Sequence, residues 1–278
     1  MRVGFIGLGS QGGPMARRIV EGGYETTLWA RRPESLEPYA DTAAKTAATP
    51  AELAANSDLV CLCVVGDDDV RQVLLGATGV LAGLTPGAVI AIHSTIHPDT
   101  CRELAELAAA QGVSVIDAPV SGGSPAVEAG TLLVMVGGEE DIVEKVRPVF
   151  ATYANPIVHL GPIGSGQVTK ILNNLMFSAN LGSAMSTLAL GEELGVPRDR
   201  MCQVLTQGSA NSKALGSIAM FGGSLDNLAP IAGALLQKDC RHAETLANTD
   251  AVDIAPGTIA GAVFSAADAA LTLMNHPR

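Results

Sequence analysis

The chain has 278 residues, 47% of them hydrophobic and only 3% aromatic, with a formal net charge of -11 at pH 7. That length admits two domains and a sizeable core, and the acidic balance argues against nucleic acid or an anionic membrane as a partner. Any anionic ligand then needs a locally positive pocket.

The cysteines show no disulfide framework, and Cys61 and Cys63 lie inside an apolar run, "LVCLCVV". That is the setting of buried core thiols rather than metal ligands, and it points to a reducing compartment. The same run is far shorter than the roughly 20 residues of a membrane span. Because Val3 to Ile6 already reads as a strand, no signal peptide is expected before the fold. The expectation is a soluble, cytoplasmic protein without a metal.

In chain order, "RVGFIGLG", "TTLWA", "DLVCLCVV", "AVIAIHS", "SVIDAP" and "LLVMVGG" read as strands. Helical patterns lie between them at Pro14 to Glu21, Asp67 to Leu75 and Pro98 to Gln111. Near-continuous apolar strands alternating with helices predict a parallel α/β sheet covered on both faces. The three aspartates at 67 to 69 open a helical pattern, so capping and dipole complementarity account for them. Pro148 interrupts the pattern that follows Glu139, which predicts two short helices or a kinked one. From Gln167 to about Leu194 a long segment is apolar nearly all round and stops at Gly195 and Pro197. Such a helix is expected to be buried on all sides, as a spine between domains or subunits. After it the strand-like runs cease, so residues 196 to 278 read as all-helical.

"GLGSQGGPMA" follows the first strand directly and opens a helix. Gly7, Gly9 and Gly12 match G-x-G-x-x-G in the context that gives it meaning, with Leu8, Ser10 and Gln11 completing the loop. The first glycine permits the tight turn, the second lets backbone approach a pyrophosphate, and the third allows close helix packing. The phosphates then face a helix N-terminus. At the end of the second strand, where NAD enzymes usually carry an acid for the ribose 2′-hydroxyl, stand Ala30, Arg31 and Arg32. Two guanidiniums without that carboxylate predict NADP (NADPH) preference, with NAD possible. Ser121, Gly122 and Gly123 in "DAPVSGG" follow a strand's carboxyl end and offer backbone N–H groups and a hydroxyl, suited to a carboxylate. In "GPIGSGQVTKILNN", Lys170 and Asn174 are four residues apart, one turn above each other on a helix face.

Taken together and in this order, "GLGSQGGPMA", "DAPVSGG", "GPIGSGQVTKILNN" and "KDCRHA" resemble the β-hydroxyacid dehydrogenases, to about residue 243. The resemblance implies two domains: 1–162, a Rossmann-type doubly wound domain, and 163–278, a long interdomain helix with a helical C-terminal domain. It implies Lys170 as the catalytic lysine with Asn174 supporting it, and substrate carboxylate binding by Ser121, Gly122 and Gly123. It also implies cofactor contacts at Val65, Gly66 and Thr95, and a second lysine near the cofactor at Lys238, beside Asp239. The sequence departs from the family pattern at Val65-Gly66, where Leu-Pro is usual, at Gln11, and in its closing segment. A lysine beside the cofactor can take the hydroxyl proton as hydride leaves, or return it in the reverse direction; desolvation favours its neutral form. The expected activity is interconversion of a small β-hydroxy acid with its semialdehyde or oxo acid, by a homodimer or homotetramer. The alternatives are an imine reductase-like enzyme, which generally replaces the lysine, and a non-catalytic dinucleotide-binding protein.

Overall fold

In a computed structural model the described residues are 1–248 and 252–275. They divide into two compact units, Met1–Lys170 and Ile171–Arg278.

In the first unit, β1 (Val3–Ile6), β2 (Thr26–Trp29), β3 (Lys45–Thr46), β4 (Leu59–Leu62), β5 (Val89–Ile92) and β6 (Ser114–Asp117) form a parallel sheet. The strand order is β3-β2-β1-β4-β5-β6, so it reverses between β1 and β4. The architecture is the expected one: a parallel six-stranded Rossmann-type sheet, followed by a helical C-terminal part. The central strands are buried on both faces, which is why they are apolar without alternation. Phe5, Cys61 and Ala91 face one core with Met15 and Ile19; Ile6, Leu62 and Ile90 face the other with Leu53 and Leu104.

A second, smaller sheet consists of β7 (Val120–Ser121), β8 (Leu132–Val136) and β9 (Ala154–His159). The run "LLVMVGG" therefore forms a strand but does not extend the main sheet; β8 pairs antiparallel with β7 and parallel with β9. The helices of this unit are α1 (Gly12–Glu21), α2 (Pro50–Ala55), α3 (Asp67–Leu74), α4 (Val80–Gly83), α5 (Pro98–Ala109), α6 (Gly123–Glu128) and α7 (Glu140–Phe150), with α8 (Ser165–Glu193) beginning at its end. The α7 segment is one helix with Pro148 inside it. Standing in the last turn, that proline forfeits only one intrahelical bond.

The second unit is helical. The remainder of α8 packs with α9 (Arg198–Leu205), α10 (Lys213–Met220), α11 (Ala234–Ala247) and α12 (Ile259–Asn275). Leu181, Leu188, Ile218, Leu236 and Ala270 share its core, and a smaller cluster gathers Ile171, Leu175, Cys240 and Ala267. Gly182 permits the close approach of α8 and α12: a Cβ there would lie 1.9 Å from the carbonyl of Ala266. Within one chain α8 is not buried all round. Leu172 and Met176 remain 54% and 61% exposed, and Leu190 is exposed as well. Helices within one small unit can cover only part of its circumference.

Candidate active site

Ligands of open parallel sheets bind beyond the carboxyl ends of the strands, where the strand order reverses. At that edge Gly7 has φ +100°, and a Cβ on it would lie 2.1 Å from the carbonyl oxygen of Cys63. A Cβ on Gly12 would meet the Gly7 carbonyl at 2.0 Å, whereas one on Gly9 would meet nothing within 4 Å. The first and third glycines are thus demanded by packing, and the second faces open space. That is the division a bound pyrophosphate requires, so the residues present fit a dinucleotide.

Gly7, Leu8 and Gly9 line a cavity of about 300 Å³ together with Ala30, Arg31, Arg32 and Val65. The same loop meets the Ser121–Gly123 region, since the Ser124 hydroxyl donates to the Ser10 carbonyl. Gly122 and Gly123 adopt φ values of +134° and +70°, left-handed territory that makes glycine necessary there. The backbone N–H of Val64 donates to Ser94 Oγ at 2.8 Å, which joins the Val65-Gly66 loop to the Thr95 loop.

The carboxylate of Asp117, at the end of β6, accepts the N–H of Gly164 at 2.6 Å and of Gln167 at 2.7 Å. Burial pushes its pKa above the ordinary carboxylate range, while these backbone donors pull the other way. Gln167, fully buried, donates to the Ser94 carbonyl at 2.8 Å and accepts from the Ile96 N–H at 3.1 Å. It therefore grips the backbone on both sides of Thr95. The first turn of α8 is pinned to two strand ends, and Lys170 is three residues beyond Gln167. Neither Asp117 nor Gln167 was among the residues singled out from sequence. The available signals were an acid ending an apolar strand and a glutamine at an inward-facing helix position.

His93 lies beneath this edge. Its Nδ1 is 2.7 Å from the Ala118 carbonyl and its Nε2 is 3.3 Å from the Tyr153 hydroxyl. Desolvation lowers its pKa to about 4, so the ring is neutral at pH 7. Burial pushes the Cys63 thiol up to about 12 and leaves it protonated.

In the second unit, Asn174 Nδ2 donates to Asp239 Oδ2 at 2.5 Å. Asp239 is almost wholly buried and its Oδ1 lies 3.0 Å from Lys238 Nζ. Asn174 and Lys238 are thus joined through Asp239, whose part in the arrangement the sequence did not disclose. Lys170 and Asn174 both stand on α8.

Two expectations require correction. The aspartates opening α3 do not cap it, since Gly66 is the N-cap and makes no side-chain cap bond, but all three stand in the first turn, where their charge complements the helix dipole. Asp67 instead accepts the His97 N–H at 2.9 Å and the Thr100 hydroxyl at 2.7 Å. Nor is the cavity beside Arg31 without a carboxylate. Asp69 supplies one from α3, with its Oδ1 3.0 Å from Arg31 Nη2. Long-range pairing of this kind leaves no mark in local sequence.

Two family models cover the chain. Residues 2–161 match the NAD-binding domain of 6-phosphogluconate dehydrogenase, and residues 164–275 match the NAD-binding region of NADP-dependent 3-hydroxyisobutyrate dehydrogenase. The chain belongs to the β-hydroxyacid dehydrogenase family. It is 33% identical over 215 residues to 2-(hydroxymethyl)glutarate dehydrogenase of Eubacterium barkeri, covering 77% of this chain and 71% of that one. Among solved structures it resembles Mycobacterium tuberculosis 3-hydroxyisobutyrate dehydrogenase with L-serine, at TM-score 0.81 and 28% identity, covering 99% and 95% of the two chains. It likewise resembles Psf3 in complex with NADP+ and 2-OPP, at TM-score 0.82 and 26% identity, covering 98% and 93%. Membership of the β-hydroxyacid dehydrogenases brings NAD(P)-binding domains and NAD(P)-dependent hydroxyacid dehydrogenase chemistry. Among the described residues no helix is long and apolar enough to cross a membrane.

Proposed function

We propose that this β-hydroxyacid dehydrogenase works with NADP in preference to NAD. Its reaction interconverts a small β-hydroxy acid and the corresponding semialdehyde or oxo acid, in the cytoplasm and as a homo-oligomer. In this reading residues 1–162 are the dinucleotide-binding domain, and residues 163–278 are the long helix with the substrate and oligomerisation domain. The observation that carries the proposal is the pinned start of α8: Asp117 and Gln167 tie the helix bearing Lys170 to the carboxyl ends of β5 and β6.

Gly7 to Gly12 receive the pyrophosphate, Arg31 and Arg32 the 2′-phosphate, and Val65, Gly66, Thr95 and Lys238 the remaining cofactor contacts. The bound nicotinamide supplies or accepts the hydride. Ser121, Gly122 and Gly123 hold the substrate carboxylate through a hydroxyl and backbone N–H groups, which orients the reacting carbon. In reduction, the Lys170 ammonium donates a hydrogen bond to the carbonyl oxygen and then the proton; in oxidation its neutral amine takes the proton back. Asn174 holds the lysine or the same oxygen. Cellular NADP pools are kept largely reduced, which favours reduction as the working direction.

The test is NADPH oxidation with small carboxylate-bearing aldehydes and α-keto acids, alongside cyclic imines, by wild type and Lys170→Ala. Turnover of an aldehyde or keto acid that falls about 10²-fold or more in the variant, with NADPH binding retained, is the expected result. Near wild-type turnover by Lys170→Ala, or activity confined to the imines, would refute it.

A further inference from the structure

The acid that NAD enzymes carry at the end of the second strand is replaced here by Ala30, yet a carboxylate occupies the same cavity by another route. Asp69, in the first turn of α3, lines the cavity with Gly9, Ala30, Arg31 and Arg32. Its Oδ1 is 3.0 Å from Arg31 Nη2, and Gln72 Oε1 is 2.8 Å from the same nitrogen. Asp67, two residues earlier, is turned to α5 instead. Asp69 is therefore set apart from its neighbour by what it touches.

We propose that Asp69 is a specificity-determining residue, whose charge competes with a 2′-phosphate for the Arg31 guanidinium and so moderates the preference for NADPH over NADH. This rests on the reading that Arg31 and Arg32 receive that phosphate. An incoming 2′-phosphate must share Arg31 with a carboxylate already in contact with it, and the two like charges repel. NADH, carrying a 2′-hydroxyl there, meets no such repulsion and can donate that hydroxyl to Asp69. The pair is solvent-accessible, with side-chain exposures of 60% for Arg31 and 31% for Asp69. Solvent screening keeps such an interaction modest, equivalent to about two- to fivefold in affinity.

Asp69→Asn isolates the charge, because the new amide oxygen still accepts from Arg31 and Gln72 still holds the guanidinium. NADPH and NADH would be titrated, by quenching of protein fluorescence, into the full-length wild type, Asp69→Asn and Arg31→Ala. Asp69→Asn should bind NADPH about three- to fivefold more tightly, with NADH unchanged or weaker by about twofold. The gain should shrink at about 0.5 M salt, where charges separated by more than a few ångströms are screened. Arg31→Ala should lose its preference for NADPH. An Asp69→Asn ratio that stays put or moves toward NADH overturns the role of Asp69, while loss of preference in Arg31→Ala leaves the phosphate reading standing. NADPH preference intact in Arg31→Ala overturns the part given to Arg31, and with it the competition with Asp69.

Discussion

Lowering the pH through the ordinary histidine range should destabilise the first unit, and His93 should account for most of the loss. His93 is 2% exposed and sits among Phe5, Phe150 and Tyr153. Desolvation drops its pKa from 6.5 to about 4. A group whose folded pKa is depressed contributes stability that is complete above its unfolded pKa and is lost as pH falls through the folded one. Over that window the unfolded chain binds the proton and the folded chain does not. Between about pH 7 and pH 4.5 the linkage amounts to about 2 kcal/mol, from roughly 1.4 kcal/mol per pH unit. With a urea slope of about 2 kcal/mol/M, the wild-type midpoint should fall by about 1 M. His93→Asn keeps a donor toward the Ala118 carbonyl but cannot titrate. It should be less stable at pH 7 and nearly flat across the same interval. Urea melts at both pH values, followed by tyrosine and tryptophan fluorescence, make the comparison. Parallel losses in wild type and variant would refute the assignment.

Asp117→Asn should destabilise by about 1–3 kcal/mol, because its new NH2 faces backbone donors that now share one acceptor oxygen. A thermal melt lowered by several degrees is expected, and a melt at or above wild type would contradict the anchoring of α8. Because burial raises the Asp117 pKa, its contribution is greatest below the usual carboxylate range and declines as pH rises through the folded value, opposite in sign to His93. Gly166→Ala puts a Cβ 2.4 Å from the Met135 carbonyl, so a loss of about 1–3 kcal/mol from overpacking should appear in the same melts. The exposed Leu172, Met176 and Leu190 on α8 should be covered by a second copy. Light scattering of a dimer or tetramer at micromolar concentration is the expected reading, and a monomer that loses no activity on dilution would count against it.

Much of the first unit was legible because its signals are local. The strands β1, β4 and β5 are apolar on both faces, which only a covered parallel sheet explains. Gly7 and Gly12 of the fingerprint sit where a turn and a close packing contact physically exclude a side chain. By contrast β9 carries Asn155 and Pro156 in place of an apolar run and is held by pairing with β8, so nothing in its own residues marked it. For α8, the composition foretold a long helix. Which of its faces is covered depends on the number of neighbours one chain can supply.

The residues that organise the site divide along the same line. Lys170, Asn174 and the serine-glycine loop were legible as proposed site residues because the motifs that hold them resemble, in order along the chain, those of the β-hydroxyacid dehydrogenases. Asp117, Gln167, Asp69 and Asp239 matter through partners 47, 50, 73, 38 and 65 positions away. A hydrogen bond or ion pair across such a separation exists only once the strands and helices that carry its two partners have packed together. The sequence by itself determined the fold class, the dinucleotide turn and the lysine-bearing helix, since these follow from backbone sterics and hydrophobic periodicity. Only the tertiary structure decided which carboxylate meets Arg31 and which side chains anchor α8, because those pairings depend on where separate strands and helices end in space.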